Sequence, residues 1–122
     1  MGVARLFATW CLLKKRVIVF VDVPELPFFP LDCIKGRPDF EISLQSVLKR
    51  QHEHRESLDR LKKDFPSIYI YDPINLFCDD KTCNYKKKEK ILYRDSHHLT
   101  FDGSDIYGKN FLHWLSSLPN SE

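Results

Sequence analysis

Read for alternation of apolar and polar positions, the chain divides into helical and extended stretches. Residues 3–13 put Leu6, Trp10 and Leu13 on one helical face, and the helix is expected to end at the cations Lys14-Lys15-Arg16. Val17-Ile18-Val19-Phe20-Val21 follows without polar interruption, the pattern of a strand buried on both faces of a parallel sheet. Asp22-Val23-Pro24-Glu25-Leu26-Pro27 ends it with two prolines, and residues 22–38 read as a long loop at the strand's C-terminal edge.

Leu44, Val47, Leu48, Leu58, Leu61 and Phe65 recur at helical spacing and predict a helix over 42–64, stopped by Pro66. Ile68-Tyr69-Ile70-Tyr71 reads as a second strand closed by Asp72-Pro73, so that strand, loop, helix and strand make a βαβ crossover. Residues 75–94 read as a hairpin-like excursion carrying Leu76-Phe77-Cys78, a turn, a basic stretch and Ile91-Leu92-Tyr93. A last helix is expected from Thr100 as N-cap. Its buried stripe would be Ile106, Tyr107, Asn110, Phe111, Trp114, Leu115 and Leu118, and Pro119 would stop it. The fold class expected is α/β with parallel strands.

At 122 residues this pattern builds one domain or part of one. The formal charge of +2, from 19 basic and 17 acidic residues, gives no reason to expect nucleic acid as a partner. The run Lys86-Lys87-Lys88-Glu89-Lys90 lacks interleaved aromatics and reads as a solvated loop. The apolar stretch at 3–13 has no basic leader and no small-residue cleavage site, and the cations at 14–16 divide it from the next one. Neither a signal peptide nor a membrane span is expected.

Cys78 and Cys83 bracket the polar tetrapeptide Asp79-Asp80-Lys81-Thr82. A disulfide closing that small loop is favoured over two reduced thiols, and over zinc, which wants Cys-x-x-Cys and a second pair. Cys11 and Cys33 have no evident partners. His52 and His54, two apart on the predicted helix, read as solvated surface, and so does His113.

The strongest chemistry lies in Tyr93-Arg94-Asp95-Ser96-His97-His98-Leu99-Thr100. A carboxylate here can accept an imidazole Nδ1 proton and leave Nε2 as a base, although spacing alone does not choose between His97 and His98. A metal set of His97, His98 and the cysteines is the weaker alternative, and no cofactor or metal is expected.

Asp95-Ser96-His97-His98-Leu99-Thr100-Phe101-Asp102-Gly103 resembles the final catalytic block of the SGNH (GDSL-like) esterases and acyltransferases. Three further blocks, in the same order, resemble the SGNH domains fused to bacterial membrane O-acyltransferases of the acyltransferase-3 family. They are Val17-Ile18-Val19-Phe20-Val21-Asp22-Val23-Pro24-Glu25, Pro30-Leu31-Asp32-Cys33-Ile34, and Tyr71-Asp72-Pro73 with Leu76-Phe77-Cys78 through Cys83. The resemblance covers about residues 14–116. It implies a flavodoxin-like three-layer sandwich with a βαβ crossover, a small cysteine-bearing hairpin and a C-terminal helix. It assigns Asp95 as orienter and His98 as base of a Ser-His-Asp triad. It also implies an acyl donor, a carbohydrate acceptor, O-acetylation of a cell-surface glycan such as lipopolysaccharide, and a periplasmic place beside a membrane acyltransferase domain.

The family's Gly-Asp-Ser, glycine and Gly-x-Asn blocks would precede the matched region, and no Gly-Asp-Ser occurs in this chain. The expectation is therefore the C-terminal half of such a domain, residues 1–122 forming one partial unit that is inactive alone, or else a noncatalytic remnant or interaction module. Ser104 follows His98 in the first turn of the last predicted helix, and Gly108-Lys109-Asn110 falls in its middle, so neither replaces the missing blocks. Half a sheet would expose a strand edge, which predicts marginal stability or self-association.

Overall fold

A computed structural model describes residues 2–30 and 42–120, apart from the side chain of Cys11. Helix α1 (Gly2–Leu12) comes first, and Lys14 closes it with φ 53°, while Lys15 N–H reaches back to the Trp10 carbonyl at 3.1 Å. That left-handed residue and its long return bond are the usual way to stop a helix and turn the chain. Strand β1 (Ile18–Phe20) then runs parallel to β3 (Tyr69–Tyr71), pairing Ile18 with Tyr69 and Phe20 with Tyr71. The expected parallel crossover is present.

The run at 17–21 is not buried on both faces. Val17 and Val21 are buried, whereas Phe20 on the other face is 44% exposed. The aromatic side of the pair meets the last helix, α5 (Phe101–Ser116), through rings that meet edge to face or tilted. Tyr71 lies 5.5 Å from Tyr107 and 5.1 Å from both Phe111 and Trp114, and its hydroxyl donates to Asn110 Oδ1 at 2.6 Å. The stripe expected to be buried is half-buried at its apolar positions and exposed at Asn110. Among the described residues of α5 only Gly103 is buried.

The single helix expected over 42–64 is three elements. Ile42–Ser43 (β2) pairs antiparallel with Thr82–Cys83 (β4), and α2 (Leu44–Arg50) and α3 (His52–Asp64) follow, broken at Gln51. Ser43 caps α2 by accepting the Ser46 N–H at 3.1 Å. The break has a polar cause, because Gln51 Nε2 donates to the carbonyl of Asp22 at 3.1 Å and Oε1 accepts from Arg55 at 3.0 Å. Arg55 in turn clasps Asp72 with contacts of 2.6 and 3.2 Å. The kink thus ties both helices to the C-terminal ends of β1 and β3. Leu48, predicted on the buried stripe, is exposed.

The excursion at 75–94 opens with a helical turn, α4 (Ile74–Phe77), because Asp72 Oδ1 accepts the Ile74 N–H at 3.0 Å and starts it. The hairpin proper is the exposed basic run, β5 (Lys86–Lys87) against β6 (Lys90–Ile91), turned at Lys88 with φ 54°. The sulfurs of Cys78 and Cys83 are bonded at 2.04 Å. They belong to the buried core with Leu26, Ile42, Val47, Phe77, Tyr85, Leu92 and Tyr93.

α1 stands apart from that core. Phe7 meets Phe65 at 5.9 Å, while Leu6, Trp10 and Leu13, the predicted face, are exposed. Residues 31–34 of the Pro30–Ile34 block, including Cys33, lie outside the described residues. No described helix is long and apolar enough to cross a membrane.

Candidate active site

Residues 92–100 form a tight loop whose ends are pinned before its tip is shaped. Tyr93 bridges antiparallel to Leu99, Arg94 N–H donates to the His98 carbonyl at 2.8 Å, and Thr100 N–H donates to the Leu92 carbonyl at 2.9 Å. Two bonds fasten the loop to the proline segment after β1. The buried Tyr93 hydroxyl donates to the Pro24 carbonyl at 2.7 Å, and Leu26 N–H donates to the Ser96 carbonyl at 2.7 Å. Burial pushes the Tyr93 phenol well above its ordinary range, so it stays a neutral donor. These bonds carry the His block to the C-terminal edge of the parallel pair, where open α/β sheets bind ligands.

Inside the loop Asp95 is the organiser. Its Oδ1 accepts the N–H of His97 at 2.9 Å and of His98 at 2.8 Å, and its Oδ2 lies 2.8 Å from His98 Nδ1. An ionised carboxylate can only accept, so Nδ1 carries the proton and Nε2 holds the free lone pair. The His97 N–H holds the Asp95 carboxyl far below the usual carboxylate range. Desolvation opposes this, and the His98 ring and N–H add to the lowering.

The geometry separates two histidines that spacing could not. His97 Nδ1 is 3.0 Å from Ser96 Oγ and 3.7 Å from Asp95, and its ring stacks 4.1 Å from that of His98. Only His98 makes the short ring contact with Asp95. Asp95, His97 and His98 also bring possible metal-ligand atoms within 4.8 Å of one another. Cys78 and Cys83, bonded to each other, offer no thiolate to such a set.

Two clefts meet at these histidines. One, of about 360 Å³, is walled by Asp22, Val23, Glu25, Arg50, Gln51 and His54. The other, of about 420 Å³, is walled by Phe20, Asp22, Arg94, Leu99, Ser104 and Tyr107. His54 is exposed, as expected, yet it faces the same cleft as His98. The sequence hid this because the Gln51 kink, which aims α3, leaves no apolar signature. Glu25 and Arg50, paired at 2.8 Å, were missed for the same reason.

Ser104 lines the second cleft but lies in the first turn of α5, where its N–H donates to the Thr100 carbonyl at 2.8 Å. It does not stand on a strand-to-helix elbow. Asn110 is spent on Tyr71 in the middle of the same helix. His52 lies on the surface beside Glu56, and His113 is exposed.

The family model of the SGNH domain (fused to AT3 domains) matches residues 4–113. No curated protein and no solved structure matches the chain.

Proposed function

The chain belongs to the SGNH domain family of the kind fused to AT3 domains, and from that membership we propose that it is the His/Asp-bearing part of an O-acyltransferase or esterase. The family carries hydrolase- or acyltransferase-like function, and its fusion partner is a membrane acyltransferase domain in longer proteins. The observation that carries the reading here is the 2.8 Å contact of Asp95 Oδ2 with His98 Nδ1, in a carboxylate already fixed by two backbone N–H groups.

In this reading a serine from outside the chain is the nucleophile, since the chain carries no Gly-Asp-Ser block. His98 Nε2 takes the serine proton as the oxygen attacks the acyl carbonyl, and Asp95 stabilises the imidazolium. The protonated His98 then gives that proton to the leaving group, and an acyl-serine remains. An acceptor hydroxyl, proposed to be that of a cell-surface glycan, attacks next, with His98 again taking the proton and returning it to serine. Water in place of the acceptor gives hydrolysis. A periplasmic place follows in the same proposal from the AT3 partner, with O-acetylation of a lipopolysaccharide or similar glycan as its outcome. Residues 1–122 would be the C-terminal part of the domain.

One observation favours a second reading, a noncatalytic remnant or interaction module. The serines beside the histidines, Ser96 and Ser104, are in a loop tip and a helix, not at an elbow. The two readings part on p-nitrophenyl acetate. The chain alone should hydrolyse it little, and in a polypeptide that adds a Gly-Asp-Ser block His98→Ala should cost at least about a hundredfold in kcat. Hydrolysis that His98→Ala leaves unchanged would sink the site.

A further inference from the structure

The hairpin of β5 and β6 goes against local preference twice. Its register sets Lys87 directly opposite Lys90, and like charges facing each other across two strands are destabilising. Lys88 turns the hairpin with φ 54°, a conformation that glycine or asparagine adopts at less cost. Residues 86–90 are all exposed, so packing offsets neither cost. Lys90 reaches Asp102 at 3.2 Å, and Lys86 lies 5.6 Å from the centre of the Tyr85 ring. Lys87 and Lys88 have no ion-pair partner among the described residues. A chain that needs only a soluble turn has better residues for both positions, whereas sequences break such rules where a site requires it.

We infer that residues 86–90 form a docking ridge for a bilayer surface that carries anionic headgroups. Charge is the first reason. Against Lys86, Lys87, Lys88 and Lys90 the run sets only Glu89, and it stays positive with Lys90 held by Asp102. Shape is the second, because none of these residues lines either cleft at His98. A soluble anion is held in a concave site, often by a forked guanidinium. A row of ammonium groups acts instead as point charges in the field of a charged surface. Every cation of the run is a lysine.

Place argues for the same partner. Fusion to a membrane acyltransferase domain in longer proteins keeps such a surface close to this domain, and a tether lets a weak contact suffice. Both strands, the turn and the charges lie within residues 86–91, so the ridge is complete whatever precedes β1. β6 runs straight into the loop that carries Asp95 and His98. The Ile91 carbonyl accepts the Thr100 hydroxyl at 2.7 Å, and Lys90 holds Asp102 in the first turn of α5. A bilayer gripped by Lys87 and Lys88 therefore holds the clefts at His98 at a fixed height beside the headgroups. The ridge binds or fails to bind irrespective of acyl transfer.

Co-sedimentation of the full chain with vesicles tests it, phosphatidylcholine alone against phosphatidylcholine with about one part in three phosphatidylglycerol. The wild-type chain should bind the anionic vesicles and leave them as salt rises from about 0.05 to about 0.5 M. Lys87→Gln and Lys88→Gln should each weaken binding about fivefold, and together about thirtyfold. Both substitutions relieve repulsion, and circular dichroism checks that the fold is kept. Lys14→Gln with Lys15→Gln, which neutralises two cations outside the hairpin, should cost less than the hairpin pair. No binding to the anionic vesicles overturns the inference, and so does equal binding to both kinds, or binding indifferent to the hairpin pair. A larger loss from the pair at 14 and 15 overturns it in favour of α1. Displacement by glycerol phosphate at about millimolar concentration overturns it in favour of a single phosphate ligand.

Discussion

At the scale of single residues, Asp95 does two separable things. One oxygen gathers the His97 and His98 amides and the other holds the His98 ring. Asp95→Asn keeps an acceptor for the amides but turns an N–H₂ toward Nδ1, which then has to accept and passes its proton to Nε2. Asp95→Ala removes both functions. The expected result is a melting temperature near wild type for Asp95→Asn and a lower one for Asp95→Ala, with ¹⁵N shifts showing the His98 tautomer lost in both. The pH dependence has a definite sign. The folded state depresses the Asp95 pKa, so its contribution is complete above the unfolded value of about 3.9 and is lost as pH falls toward the folded one. The ¹³C signal of the Asp95 carboxyl should therefore show no titration step of its own until the pH is below about 4. A carboxyl titration centred at or above the ordinary value of about 3.9 would contradict the Asp95 assignment. Asp95 was legible in the sequence because three residues suffice to build its turn. The choice of His98 over His97 needed the loop's geometry or the family.

Elements are where reading and structure part company. Helix α5 announced itself through Thr100, whose hydroxyl accepts the Gly103 N–H at 3.0 Å and also donates to the Ile91 carbonyl at 2.7 Å. Thr100→Ala should therefore cost about 1–2 kcal/mol in urea unfolding, since a cap and a strand contact go together. In the sequence Gly103 reads only as part of a motif, and its physical task is closeness. A Cβ built there meets the Leu92 carbonyl oxygen at 2.1 Å, so α5 can lie against the backbone that follows β6 only without a side chain. Gly103→Ala should cost about 3 kcal/mol, and a loss well under 1 kcal/mol would mean that the helix and strand are less closely packed. The helix over 42–64 fared differently. Its apolar spacing runs through Gln51 without a break, because the kink answers to carbonyls of Asp22 and Val23 nearly thirty residues earlier. Ile42–Ser43 likewise became a strand through its pairing with Thr82–Cys83, a partner that no local window contains. Long-range polar bonds are what periodicity omits.

Across the whole molecule, stability is unevenly distributed. The buried cluster runs from Leu26 through Phe77 and the bonded cysteines to Leu92 and Tyr93, directly beneath the Asp95–His98 loop. The site is thus mounted on the firmest part of the chain. α1 lies at the other extreme, joined by the Phe7–Phe65 ring contact, with Leu12 84% and Val3 65% exposed. Helices of about 11 residues are marginal on their own, and most helical stability in proteins comes from packing an apolar face. α1 should therefore open locally, at a cost of about 1 kcal/mol or less, while the amides near Tyr93 exchange only with global unfolding. Hydrogen exchange read by mass spectrometry separates the two. Deleting residues 2–12 carries the same argument into an independent measurement. The loss should be small in urea unfolding, about 1 kcal/mol, because little apolar surface is withdrawn from water with the helix. A loss of several kcal/mol, or α1 amides protected as strongly as those of Tyr93, would mean that its apolar residues are covered in solution.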